Sequence, residues 1–150
     1  MGHQLHTEIH IEAAPGVVWS VLTDLERYAD WNPFIVSSSG RVEVGERLTN
    51  RLQPSGGRAV TFRPVVTAVE AERTFEWLGR LGLPRLFDGR HRFELTATPE
   101  GGTRVVHGER FRGLLVPLMR RSLDTTTLAG FEAMNAALKA RCEHVASSAS

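Results

Sequence analysis

The stretch from Pro117 to Val145 constrains the fold most, because it reads as one long amphipathic helix. Its apolar residues are Leu118, Leu123, Leu128, Phe131, Met134, Leu138, Cys142 and Val145, and from Phe131 onward they recur in steps of 3, 4, 4 and 3, which is one face of a helix. A continuous helix of this length would measure roughly 43 Å at ~1.5 Å per residue, which exceeds the width of a small domain. We therefore expect a kink or a second helix N-cap at Asp124, which a run of threonines follows.

The composition is that of an ordinary globular protein. Of the 150 residues, 41% are hydrophobic and 23% are charged, so we expect one domain over residues 1–150, with a frayed tail at 146–150. The net charge is +1, so no overall field would attract nucleic acid. Cys142 is the only cysteine and cannot form an internal disulfide. No secretion signal and no membrane-length apolar run is found, which predicts a cytoplasmic protein without stable membrane insertion.

The region before the C-terminal helix has the pattern of β structure. The first strand covers Leu5–Ile11, and two short helices at Gly16–Thr23 and Leu25–Asp30 follow it. The remaining predicted strands are Ile35–Ser39, Glu46–Gln53, Ala59–Glu70, Thr74–Leu78, Asp88–Thr98 and Thr103–Arg112. Because no helical pattern interrupts these strands, we predict an antiparallel sheet. Pro64 cannot donate to a strand ladder, so it must lie at an edge or a bulge.

Two other segments have more than one interpretation. Trp31 and Phe34 flank an Asn-Pro turn, and they either plug the two short helices into the sheet or line the mouth of a pocket. The segment Leu81–Phe87 is an apolar loop with internal glycine and proline, and such loops usually cover something. His6 and His10 fall on the polar face of the first strand, where we interpret them as solvated.

The last two strands carry the most informative pattern. Their even positions bear arginines without interleaved aromatic residues, which indicates a solvent face and argues against a nucleic-acid surface. The odd positions, which must face the helix, are His91, Phe93, Leu95, Ala97, Val105, His107, Glu109 and Phe111. A three-residue Glu-Gly-Gly turn would place Phe93 opposite Glu109, and His91 would lie diagonal to Glu109. Leu95 would then lie opposite His107.

A glutamate on a buried strand face needs partners, because an unpaired buried charge is costly. Three interpretations stay open for the candidate catalytic residues His91, His107 and Glu109. They form a structural polar pair in the core, a polar anchor at the bottom of a ligand cavity, or an acid/base pair or metal site. Two histidines and a glutamate suit zinc in type, but no close ligand spacing supports it, so we predict no metal and no cofactor.

The order of several short motifs along the chain resembles a known superfamily. These motifs are the segments 9–19, 31–34, 75–77 and 89–95, and the terminal helix with Phe131, Met134 and Leu138. Together they resemble the START/birch-pollen-allergen (SRPBCC) superfamily, in its bacterial polyketide cyclase/dehydrase-like branch. The resemblance implies an α+β helix-grip fold, in which a seven-stranded antiparallel sheet curls around the long C-terminal helix. It also implies a deep apolar cavity for lipids, sterols, polyketides or hormones, but no universal catalytic motif.

We therefore predict a protein that binds a hydrophobic small molecule between sheet and helix, where Gly130 leaves room for it. The predicted ligand-binding residues are Trp31, Phe34, Trp77, Phe87, His91, Phe93, His107, Glu109, Phe111, Thr127, Gly130, Phe131 and Met134. One alternative is a polyketide aromatase/cyclase or dehydratase that uses His91 or His107 with Glu109. A second alternative is a partner-binding or self-association module built on the Leu81–Phe87 loop, and either a monomer or a homodimer is compatible with the sequence.

Overall fold

The computed structural model describes residues 2–54 and 56–149, and its strands form two antiparallel sheets. Within these residues the strands are β1 (Gly2–Ile11), β2 (Ile35–Ser39), β3 (Thr49–Leu52), β4 (Val60–Phe62), β5 (Val65–Glu70), β6 (Thr74–Arg80), β7 (Asp88–Ala97) and β8 (Thr103–Arg112). The larger sheet has the order β1-β8-β7-β6-β5, and the smaller has the order β2-β3-β4. The predicted α+β class with antiparallel strands is confirmed, whereas the prediction of seven strands in one sheet is wrong.

The additional strand arises at Pro64, where the predicted strand Ala59–Glu70 divides into β4 and β5. A proline has no amide hydrogen to donate, so the ladder of the smaller sheet ends before it. The carbonyl of Pro64 accepts a hydrogen bond from the Leu48 amide at 2.8 Å. The chain thus passes from the smaller sheet to the larger one. Of the strand predicted at Glu46–Gln53, Thr49–Leu52 forms β3, whereas Arg47 forms an isolated antiparallel bridge with Val65 at the start of β5.

The helical segments are α1 (Pro15–Thr23), a 3₁₀ helix (Leu25–Asp30), α2 (Val116–Ser122) and α3 (Leu128–Ser148). A π-helical turn at Leu123–Thr127 joins α2 to α3, so the predicted interruption near Asp124 is present. Asp124 does not cap a helix, since its Oδ1 pairs with Nε2 of His3 at 2.6 Å. α3 extends to Ser148, beyond the predicted helix end at Val145. None of the described helices is long and apolar enough to cross a membrane.

α3 packs against β1 and α1, and its apolar stripe forms one side of the core. Phe131, Met134, Leu138 and Cys142 are fully buried on this stripe. Removing a side chain of this size from water stabilises a fold by roughly 1.5–3 kcal/mol. Burial of this stripe therefore stabilises the packing of α3 against the larger sheet.

Phe34 fills the bare patch of α3 at Gly130. The side-chain oxygen of Asn32 accepts hydrogen bonds from the amides of Phe34 at 3.0 Å and Ile35 at 2.9 Å, which fixes the turn before β2. This turn aims the Phe34 ring at α3, where a Cβ on residue 130 would overlap it. The room that Gly130 is predicted to leave for a ligand is therefore taken by Phe34.

The hairpin of β7 and β8 is shifted from its predicted register by two residues. Its loop has the predicted length of three residues but starts one residue earlier, because Thr98 and Gly102 close it with a backbone hydrogen bond of 2.9 Å around residues 99–101. His91 consequently lies directly opposite Glu109. Phe93 lies opposite His107, and Leu95 lies opposite Val105. Ala97 is exposed, but the other odd positions of β7 and β8 still face inward, because a shift by two residues preserves the face of a strand.

Candidate functional site

A cavity of about 360 Å³ lies between the two sheets and the α2–α3 junction. Its apolar walls include Phe34, Leu52, Phe62, Trp77, Phe87 and Phe111. Its polar lining residues are Asn50, Arg80, His91, Glu109, Ser122, Thr126 and Thr127. A mostly apolar cavity with a few polar groups is the usual form of a small-molecule site.

The structure places the predicted ligand-binding residues in two groups. Those that line the cavity are Phe34, Trp77, Phe87, His91, Glu109, Phe111 and Thr127. Those that lie outside its lining are Trp31, Phe93, His107, Gly130, Phe131 and Met134. Trp31 packs edge-on against Tyr28 with a ring separation of 5.2 Å, whereas the others are buried behind the wall. The sequence pattern predicts which face of an element points inward, but it does not predict whether a residue on that face lines the cavity or lies deeper in the core.

A continuous chain of hydrogen bonds leads from the cavity wall into the core. Oε1 of Glu109 lies 2.9 Å from Nδ1 of His91, and Nε2 of His91 lies 2.7 Å from Nε2 of His107. Nδ1 of His107 lies 2.8 Å from Oδ1 of Asn135. The Asn135 amide then donates to Oγ1 of Thr7 at 2.8 Å, and this hydroxyl donates to the His107 carbonyl at 2.6 Å. We call this set of five residues the polar chain.

Aromatic rings hold the two imidazoles of the polar chain in place. The His91 ring stacks on Trp77 with a centroid separation of 4.6 Å and an angle of 13°. The His107 ring lies between Phe131 at 4.3 Å and Phe93 at 4.3 Å, and both pairs are stacked. These contacts restrict the rotation of both imidazole rings, so the packing of the core keeps each ring nitrogen directed at its hydrogen-bond partner.

Burial keeps the titratable groups of the polar chain uncharged near neutral pH. It raises the pKa of Glu109 from 4.5 to about 8 and lowers the pKa of His91 from 6.5 to about 3. The pKa of His107 falls well below 6.5, first because of burial and then because of its neighbour His91. At neutral pH the favoured state is a protonated Glu109 that donates to a neutral His91.

Asn135 and Thr7 also belong to the polar chain, although neither is among the residues predicted from the sequence. Thr7 falls on the inward face of the first strand in the predicted pattern. Asn135 lies four residues after Phe131 and three before Leu138, which places an amide on the apolar stripe of α3. A polar side chain at such a position is the signal that could identify it, because buried amides require hydrogen-bond partners.

The backbone of β7 leaves space for the Glu109 carboxyl group at Gly89. A Cβ on Gly89 would overlap Oε2 of Glu109, whereas a Cβ on Gly79, its partner on β6, would meet only ordinary contacts beyond 3.7 Å. We therefore expect Gly89→Ala to displace the carboxyl from His91 and lower the free energy of unfolding by about 1–2 kcal/mol. Gly79→Ala is the matched control and should change it by less than about 0.5 kcal/mol. Urea unfolding measures both, and equal effects would contradict this role of Gly89.

The apolar loop Leu81–Phe87 contributes to the cavity and also reaches solvent. Leu81 and Phe87 line the cavity, whereas Leu83 is 75% exposed. Docking of a partner or a second copy through this loop stays a prediction. In the described part of the chain, no group of three His, Cys, Asp or Glu side chains is arranged to hold a metal ion.

Comparisons with known proteins agree with this architecture. The family model described as "Polyketide cyclase / dehydrase and lipid transport" matches residues 2–143. The Zhui aromatase/cyclase from Streptomyces sp. R1128 has a TM-score of 0.79 and 16% identity, over 96% of this chain and 95% of that chain. A START superfamily protein from Mycobacterium smegmatis has a TM-score of 0.73 and 20% identity, over 95% and 99% of the respective chains.

A third solved structure, of a Mesorhizobium loti protein, has a TM-score of 0.69 and 23% identity, over 91% of this chain and 94% of that chain. At these identities the structural likeness shows the fold alone. The predicted helix-grip fold is thereby confirmed. A search of curated proteins finds no significant match.

Proposed function

Because this chain belongs to the polyketide cyclase/dehydrase and lipid transport family of the SRPBCC superfamily, we propose that it binds an apolar small molecule, such as a lipid or a polyketide. The family predicted from the sequence is thus confirmed. The observation that carries the proposal is the cavity of about 360 Å³, whose walls are mostly apolar and whose polar groups are few. The description of the family model names both polyketide cyclisation and lipid transport, which supports polyketides and lipids as ligand classes.

A ligand panel with a cavity-blocking variant tests this proposal. Fatty alcohols, sterols and aromatic polyketides should raise the thermal unfolding temperature of the protein if one of them fits. Val60 lines the cavity and is 44% exposed, so Val60→Trp should obstruct the cavity with little cost to the core. We expect this variant to weaken binding at least about tenfold, which is about 1.4 kcal/mol.

Val44→Trp is the matched control, because Val44 is 63% exposed and lies outside the cavity lining. It should bind the active probe as the original chain does. Two outcomes would contradict the proposal: stabilisation by none of the probes, or binding that Val60→Trp leaves unchanged.

A second candidate function, cyclisation or dehydration of a polyketide, rests on the Glu109–His91 pair at the cavity wall. Oε2 of Glu109 would accept a proton from the substrate while the proton on Oε1 passes to Nδ1 of His91. The substrate would leave this step as an anion, and His91 would become an imidazolium. Glu109→Gln removes this proton transfer but retains the shape of the side chain. An enzyme should then lose kcat far more than binding, whereas a carrier should keep its affinity.

A further inference from the structure

We propose that the cavity selects ligands whose polar end is a neutral hydrogen-bond donor, such as a hydroxyl or phenol, over matched ethers and carboxylates. This inference rests on the proposed function, since it specifies the ligand class of the same cavity. It follows from the direction in which protons must be arranged along the polar chain. The decisive atom is Oε2 of Glu109, the oxygen that the chain leaves free.

The proton order is fixed first at the end of the chain that lies in the core. The hydroxyl of Thr7 has one proton, and it points to the His107 carbonyl, which can only accept. Thr7 must therefore accept from the Asn135 NH₂ group, so Asn135 turns its carbonyl oxygen towards Nδ1 of His107. Because that oxygen can only accept, Nδ1 of His107 carries a proton.

This assignment then determines where each proton lies between His107 and the cavity. A neutral His107 with a proton on Nδ1 has an unprotonated Nε2, so Nε2 of His91 must donate to it. The hydrogen bond between Nδ1 of His91 and Oε1 of Glu109 holds the remaining proton. That proton lies either on Oε1, which gives a neutral acid, or on His91, which gives an ion pair. Oε2 carries no proton in either case, so it can only accept.

Oε2 is available to a molecule in the cavity. The Glu109 side chain is 16% exposed, and Glu109 is the only carboxylate among the described cavity-lining residues. Oε2 lies over Gly89, which also lines the cavity. Oε1 is bound to His91, whereas no hydrogen bond to Oε2 is found within the described residues. A bound hydroxyl would satisfy this acceptor without bringing a charge into an apolar cavity.

Other polar end groups are less suitable at this position. An ether has no proton to donate, so it would leave Oε2 unsatisfied. A carboxylate would bring a second acceptor and a negative charge against Oε2, in surroundings that already disfavour the charge of Glu109. Arg80 also lines the cavity, but it is half exposed and lies 3.6 Å from Asp88, so its charge is already paired.

Three probes with the same aromatic body test the inference by titration calorimetry near neutral pH: naphthol, methoxynaphthalene and naphthoate. We expect naphthol to bind about tenfold more tightly than methoxynaphthalene, because a satisfied buried acceptor is worth on the order of a factor of ten in affinity. Naphthoate should bind most weakly. Equal affinities for naphthol and the ether, or tightest binding of naphthoate, would overturn the inference while leaving the proposed function intact.

Two variants separate the proton order from the charge of Glu109. In Glu109→Gln the amide can donate to the unprotonated Nδ1 of His91 and present its carbonyl oxygen to the cavity, so the preference for naphthol should persist. In Glu109→Met the acceptor is absent, so naphthol and methoxynaphthalene should bind equally. A preference that survives in Glu109→Met would show that another group selects the ligand and would overturn the inference. Failure of all three probes to bind would overturn it together with the proposed function.

Discussion

Replacing Phe131 with alanine is expected to lower the free energy of unfolding by about 3–5 kcal/mol, the usual cost of removing a fully buried phenylalanine. The Phe131 ring has no solvent exposure and packs edge-on against Phe34 at 5.7 Å. It also stacks on His107 at 4.3 Å with an angle of 10°. The substitution therefore leaves a void and removes one of the two rings that hold the central imidazole of the polar chain.

Urea unfolding measures this loss, and Leu118→Ala is its matched control on the same helical region. Leu118 is 83% exposed on α2, so its truncation should change the free energy of unfolding by less than about 0.5 kcal/mol. A loss below about 1 kcal/mol for Phe131→Ala would contradict a close-packed core at this position.

The contribution of Glu109 to the free energy of unfolding is expected to fall by up to about 2 kcal/mol as the pH rises from 6.5 to 8, because Glu109 titrates differently in the two states. The unfolded chain releases the Glu109 proton near 4.5, whereas the folded chain holds it up to about 8. Between these values the unfolded state binds fewer protons, so stability decreases as the pH rises. Integration at about 1.4 kcal/mol per pH unit gives the stated loss.

The histidines act in the opposite direction below pH 6.5. The folded-state pKa of His91 is lowered from 6.5 to about 3, so the unfolded chain binds the extra proton first and stability falls as the pH decreases. The lowered pKa of His107 changes the stability in the same direction. These three residues together therefore predict a maximum of stability near pH 6.5, with Glu109 responsible for the alkaline side.

Chemical unfolding of variants between pH 6.5 and 8 tests this assignment. Glu109→Gln cannot ionise, so its free energy of unfolding should lack the decrease on the alkaline side. Glu132→Gln is the matched control, because Glu132 is an exposed carboxylate on α3, and it should retain that decrease. If Glu109→Gln and the original chain lose stability in parallel, the buried acid is not the cause.

Local patterns were sufficient to predict which side chains face inward. The alternation along β7 and β8 placed His91, His107 and Glu109 on the buried face, and that result survives the two-residue shift in register. The register itself depends on how Thr98 and Gly102 close the loop. Alternation has a period of two, so it identifies a face but cannot distinguish registers that differ by two residues.

The family, the antiparallel α+β fold and the inward face of each main element could be predicted from the residues alone, because they follow from short-range periodicity and motif order. Long-range packing, in contrast, sets the change of sheets at Pro64 and the position of Phe34 over Gly130. It also brings Asn135 of α3 to Thr7 of β1, which orders the protons between His107 and Glu109. Such contacts join residues far apart in the chain, and their distances and directions are set only when helix and sheets pack together.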